Sequence, residues 1–175
     1  MPDEVRRSMF VMGAERAGLG RVIDYLAQQD DRVVPRLLDA DIIPPLSDHY
    51  AFEQVGIPFL FYSMGRDRNY RTPRDTAEKL DYAKMVGFAD HLTEVLYSLA
   101  DGPAPAYDAN AVDDAASLAT LVAIARHAAP LHRDSDRFSV LVDKLERKLE
   151  AGTPLARFDR GGMQAAILAI EDALA

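Results

Sequence analysis

The residues with the most chemistry to offer sit in a single stretch. Ser47, Asp48 and His49 are adjacent, and Gly56-Ile57-Pro58 then leads into the apolar run Phe59 to Tyr62. A polar loop follows, reading Asn69-Tyr70-Arg71-Thr72-Pro73-Arg74-Asp75-Thr76. Three polar groups, a strand and a polar loop in a row make a candidate site. Arg71 stands out in it, because a guanidinium is always charged and has no lone pair to offer a metal. With Arg66, Arg68 and Arg74 it makes the loop basic on an acidic chain. Such a loop is a solvated face or a receiver for an anionic peptide end. Ser47 is placed to cap a short helix. Asp48 and His49 read as a structural hydrogen-bonding pair, and Asp75 as a cap or anchor of the loop.

The other histidines carry less. His91 falls in the middle of a helical pattern beside Asp90 and reads as a surface or half-buried residue. His127 and His132 are five apart across Pro130, not the i, i+4 pair of a helical zinc site. Gly161-Gly162 reads as a turn rather than a phosphate cradle. No nucleophile elbow, P-loop or dinucleotide fingerprint occurs.

The elements that must hold these residues follow from periodicity. Phe59–Tyr62 is short and wholly apolar or aromatic, as in a central strand buried on both faces. In open α/β sheets ligands bind past the carboxyl ends of strands, and the 69–76 loop follows such an end. Ser8–Met12 is a second buried strand, ended by Gly13. Residues 18–29 place Leu19, Val22, Ile23 and Leu26 at helical spacing. Residues 32–38 read as a short strand or an extended crossing, and Pro35 demotes them to a sheet edge at best. Asp48 to Val55 is a short helix closed by Gly56. Asp81 caps a long helix from Tyr82 to about Ala100, with Met85, Phe88, Ala89, Leu92, Val95, Leu96 and Leu99 along one face. This is an α/β order. Asp101-Gly102-Pro103-Ala104-Pro105 is a boundary and an exposed linker. Beyond it, residues 110–129, 135–151 and 161–175 are amphipathic and predict a small helical bundle. The expected domains are 1–101 and 106–175.

The chain has 175 residues, and 49% of them are hydrophobic, enough for a real core. The net charge of −8 argues against nucleic acid or an anionic membrane surface as the main partner. There is no cysteine, which removes disulfides and zinc–thiolate sites. The start is charged with no signal-like apolar run, and no segment reaches the length of a membrane span. The sequence as written reads as soluble and cytoplasmic, while a longer parent could be exported, so the compartment stays open.

Residues 8–100 resemble the zinc-dependent aminopeptidases of the bacterial leucyl-aminopeptidase and glutamate-carboxypeptidase type. That family carries a Ser-Asp-His segment, a Gly-Ile-Pro strand and a Tyr-His-Thr-x-x-Asp-Thr loop. Here Ser47-Asp48-His49, Gly56-Ile57-Pro58 and Tyr70-Arg71-Thr72-Pro73-Arg74-Asp75-Thr76 match them in order. The resemblance implies a phosphorylase/hydrolase-like mixed sheet with flanking helices and two-zinc peptide hydrolysis. It implies that Tyr70 is a catalytic residue whose hydroxyl helps stabilise an oxyanion. It makes Ser47 a residue that orients the ligand histidine, and places Arg71 where that histidine belongs.

The family's other metal-holding residues all precede the segment that matches Ser8–Met12. The expectation is the C-terminal part of a longer peptidase, inactive as given, with zinc in the family but no cofactor or metal in this chain. The alternative is a non-catalytic binding or dimerisation module on a degenerate peptidase fold. Both readings allow a peptide substrate or peptide end as partner, and an open sheet edge predicts a homo-oligomer.

Overall fold

A computed structural model describes residues 6–65, 69–128 and 135–174. Its centre is β1, Ser8–Met12, which is flanked on one side by β2, Val34–Leu38, and on the other by β3, Phe61–Ser63. β1 and β2 are parallel, with Val11 opposite Leu37, and are joined through helix α1, Gly20–Ala27. β3 runs antiparallel to β1, with Phe10 opposite Ser63. The sheet is therefore mixed. Pro35 lies in an edge strand, where its missing N–H costs no ladder bond on the outer side.

Successive side chains of β1 point to opposite faces, and the chain provides a separate cover for each. Met9 and Val11 pack with Ala14, Ile23 and Val33. Phe10 and Met12 turn the other way, into a larger cluster with Leu38, Leu118, Leu121, Leu145 and Ile170. That cluster is built from the three C-terminal helices: α4, Asp114–Ala128; α5, Ser135–Glu150; and α6, Arg157–Leu174. The expected helical bundle thus shares its apolar interior with the sheet.

The helix order otherwise follows the periodicity, with adjusted ends. The short helix α2 spans His49–Gln54 and closes at Gly56, whose φ of 68° suits a residue without a Cβ. The long helix α3 spans Tyr82–Asp101, and the Asp81 carboxylate accepts from the Lys84 N–H at 3.0 Å, as expected of its cap. Its inward face is Gly87, His91 and Val95, with Phe88 half-buried, whereas Met85 and Leu96 face solvent. His91 is accordingly more deeply placed than its sequence setting suggests. Gly87 lets α3 approach closely, since a Cβ there would lie 2.8 Å from the Arg32 Cβ.

Several sequence-based expectations need correction. The strand expected at Phe59–Tyr62 starts at Phe61, is half-buried, and lies at the edge of the described sheet, because β1 takes the central place. Gly161-Gly162 is not a turn but lies inside α6, which starts at Arg157. Asp159 makes this early start possible. At the third helical position it accepts from the Ala156 N–H at 3.1 Å, closing the helix end from within. It also pairs with Lys144 at 2.8 Å and with Lys148, tying α6 to α5, and these two ammonium groups hold its carboxyl well below the usual carboxylate range.

Two polar seams fasten the bundle to the sheet. Along β2, the Thr120 hydroxyl donates to the Leu37 carbonyl at 2.7 Å, and the Asp39 N–H donates to Ser117 Oγ at 3.1 Å. The Asp39 carboxylate in turn accepts from the Asp113 N–H at 2.9 Å, just before α4. The second seam is Arg16, buried just after β1, which pairs with Glu53 of α2, with Asp41, and with the Tyr107 hydroxyl at 3.4 Å. Its carbonyl accepts from the Asp108 N–H at 2.9 Å. Replacing Arg16 leaves Glu53, Asp41 and Glu15 facing one another without a cation. Arg16→Met is therefore expected to lower unfolding free energy by about 2 kcal/mol or more. Arg32→Gln, which removes surface pairs to the half-buried Asp30 and the exposed Asp90, is expected to cost clearly less. Urea titration of both variants checks the contrast.

Candidate functional site

The polar loop is organised by its own short-range bonds. The Thr72 hydroxyl donates to the Asn69 carbonyl at 2.7 Å, and the Arg74 N–H donates to Thr72 Oγ1 at 3.2 Å. The Asp75 N–H donates to the Thr72 carbonyl at 3.0 Å. Thr72 is thus the anchor, and the role expected of the Asp75 carboxylate falls to a hydroxyl. Asp75 itself is exposed, with no side-chain hydrogen bond recorded among the described residues. Arg66 and Arg68 lie outside the described residues.

Arg71 has φ of 59°, the only positive φ on a non-glycine residue among those described. This left-handed conformation costs an L-residue roughly 1–2 kcal/mol. The guanidinium lies over the Tyr70 ring, with Cζ 5.3 Å from the ring centroid. Cation–π attraction of this kind returns about 0.5–1 kcal/mol at an exposed position. Tyr70 itself is 52% exposed.

Both residues border a groove of about 530 Å3 on the bundle-facing side of the sheet. Its floor is Phe10, Met12 and Phe61, and one wall is the segment from Ile42 to Ser47, which leaves a short 3-10 turn at Ala40–Ile42. Ile167 and Leu168 of α6 form the opposite wall. Because β3 is antiparallel to β1, the loop after it emerges near the start of β1. The groove therefore reaches from the loop after β3 to Met12 and Leu38, the last residues of the two parallel strands.

The Ser47-Asp48-His49 segment divides between groove and core. Ser47 lines the groove but does not cap α2; residue 48 takes the cap position, without a side-chain bond, and only the Ser47 carbonyl is used, accepting from the Tyr50 N–H at 3.1 Å. Asp48 is exposed, whereas His49 is buried between Phe59 and Phe61, each ring centroid 5.3 Å from its own. His49 Nδ1 is buried with no hydrogen-bond partner among the described residues. No hydrogen bond joins Asp48 and His49 there, so the pairing expected of them is replaced by aromatic packing of the imidazole.

The second buried histidine is farther from this chemistry. His91 stands edge-on to Tyr62, ring centroids 6.0 Å apart, behind β3. Burial holds its pKa below the usual imidazole value, and burial pushes the Tyr62 phenol up to about 12. The His127 side chain and His132 fall outside what is described.

The described residues do not fit a zinc site. Arg71 brings a cation to the loop, which repels a divalent ion and offers it no electron pair. His49 is turned into an aromatic sandwich. Among the described residues, no three histidine, cysteine, aspartate or glutamate side chains are grouped as ligands. What the sequence did not single out is the wall from α6. Ile167 is part of an amphipathic stripe, and such a stripe reads as core until the fold shows that its neighbour Leu168 borders a groove.

The strain at Arg71 is open to measurement. Arg71→Gly removes the Cβ penalty at φ of 59° and is expected to leave stability unchanged or raise it by up to about 1 kcal/mol. Arg71→Val, β-branched, is expected to lower it by more than about 1 kcal/mol. Thermal unfolding of the two variants checks the ordering.

Comparison with known proteins matches residues 3–96 to peptidase family M28. No curated protein and no solved structure matches the chain. The matched segment carries β1 to β3, the Ser47-Asp48-His49 segment, the 69–76 loop and most of α3, and it covers more than half of the sequence. The chain is therefore a member of peptidase family M28, a family of zinc-dependent peptidases.

Proposed function

We propose that this chain serves metallopeptidase-type function as a peptide-binding unit whose described residues do not hold the metal themselves. One observation supports the reading: Arg71, at the position that the resemblance assigns to the family's ligand histidine, has a left-handed backbone and lies over the Tyr70 ring. Hydrolysis of a peptide by the family's chemistry needs ligands that these residues do not supply. Tyr70 is the residue that would contribute most directly beside such ligands, through its hydroxyl, as a donor to the oxyanion of a peptide carbonyl. Residues 1–101 form the peptidase-like unit and 106–175 the helical appendage that walls its groove.

The experiment is an assay of the purified chain with zinc and an aminoacyl-nitroanilide. The expected result is no turnover above that of an identically purified Tyr70→Phe control. Turnover that a chelator abolishes and that Tyr70→Phe loses overturns the proposal. Arg71→His is expected to gain no tight zinc binding, since a single imidazole without grouped partners is a weak ligand.

A second reading, a self-pairing module, is favoured by the outer face of α3. Tyr82, Met85, Val86, Leu96 and Tyr97 are all exposed there, and β3 has no further strand beside it among the described residues. Exposed apolar area of this kind marks contact surfaces. A second copy is the occupant proposed. Sedimentation at tens of micromolar is expected to show a homo-oligomer that Leu96→Glu dissociates; a monomer at that concentration removes this reading.

A further inference from the structure

The groove beside the loop combines three features that together specify a ligand. Its floor and walls are apolar, from Phe10 and Phe61 of the sheet to Ile167 and Leu168 of α6. Its rim carries hydroxyls from Ser47, Ser63 and Tyr70. Among its described lining residues Arg71 is the one charged group, and no carboxylate lines it, on a chain whose net charge is −8.

We infer that the groove binds the carboxylate end of a peptide whose last side chain is apolar, with Arg71 as the carboxylate receiver. The volume of about 530 Å3 lies in the range of sites that enclose small ligands, roughly 300–1,000 Å3. The guanidinium is suited to the role in its observed setting. Its Cζ lies 5.3 Å from the Tyr70 ring centroid, a contact that uses none of its five N–H donors as hydrogen bonds. No carboxylate partner of Arg71 is recorded among the described residues. A left-handed backbone held at a cost, on the residue that carries the charge, is the kind of strain found where ligands are clamped. The apolar floor then accepts the terminal side chain, and the rim hydroxyls hydrogen-bond the last peptide unit. The wall from α6 lies outside residues 3–96, the part of the chain that matches the family.

The inference rests on the proposed function only in taking the groove as the ligand site. Its test is binding, so its failure leaves the turnover result untouched. Isothermal titration of the full chain with N-acetyl-Ala-Leu is compared with the C-terminal amide of the same peptide, with N-acetyl-Ala-Asp, and with octanoate. The acid is expected to bind at least 10-fold tighter than the amide and the aspartyl peptide. Arg71→Gln is expected to erase the preference for acid over amide while leaving weak amide binding. Leu168→Asp, at a position 41% exposed and therefore tolerant, is expected to weaken the leucyl peptide at least 10-fold with an unchanged circular dichroism spectrum. Equal binding of acid and amide, an acid preference surviving in Arg71→Gln, or no binding by any ligand overturns the proposal. Octanoate binding as tightly as the leucyl peptide overturns the peptide assignment in favour of a simple aliphatic acid.

Discussion

The arrangement depends first on one buried cation. Arg16 sits directly after the central strand, past the turn at Gly13, and gathers Asp41, Glu53 and Tyr107 around it. Those partners come from three separate pieces of chain: the turn after β2, helix α2, and the segment leading into the bundle. A guanidinium is well matched to this task, because its five donors spread in a fixed plane and stay charged at any working pH. Burial alone would weaken its hold on the proton, but the bonds to Tyr107 and Glu53 and the charge of Asp41 more than compensate. By fixing Asp41, the cluster fixes the start of the Ile42–Ser47 wall. By fixing Tyr107 and the Asp108 N–H, it fixes where the bundle begins.

The second constraint is the edge of β2. An edge strand leaves carbonyl and N–H groups facing outward, and these invite another strand. Here helix α4 covers that edge with small hydroxyl side chains, the Thr120 hydroxyl reaching the Leu37 carbonyl and Ser117 receiving the Asp39 N–H. Arg160 adds a two-point pair to Asp114, at 2.6 and 2.8 Å, so α6 is held to the start of α4 as well. The open edge anticipated from sequence is therefore occupied on the β2 side by the chain's own helices. The groove owes its second wall to the same packing.

Much of this was legible beforehand where local rules act. Ser8–Met12, Pro35 at an edge, the Gly56 closure and the Asp81 cap all follow from short-range chemistry, and all appear in place. The losses come where tertiary contacts decide. Phe59 has the composition of a strand, but its carbonyl lies close against Gly13, where a Cβ would sit 2.6 Å away, and pairing begins only at Phe61. Gly161 and Gly162 look like a turn, yet Asp159 nucleates a helix ahead of them. The candidate site was legible as a motif: the 69–76 loop and its charged Arg71 stand out in the sequence. Its left-handed backbone, its stacking on Tyr70 and the α6 wall were not, since no residue pattern records which distant helix will lie across a sheet face.

The shared interior has a consequence for how the molecule comes apart. Gly102 to Ala104 lies exposed between the long helix and the bundle, an accessible place for a protease. A cut there breaks the chain without freeing either piece, because Met12 and Leu38 remain embedded among the helices and Arg16 still grips Tyr107. The nicked protein would travel as a single particle until denaturant separates it, and each fragment, once parted, would carry away half of an apolar surface made for the other.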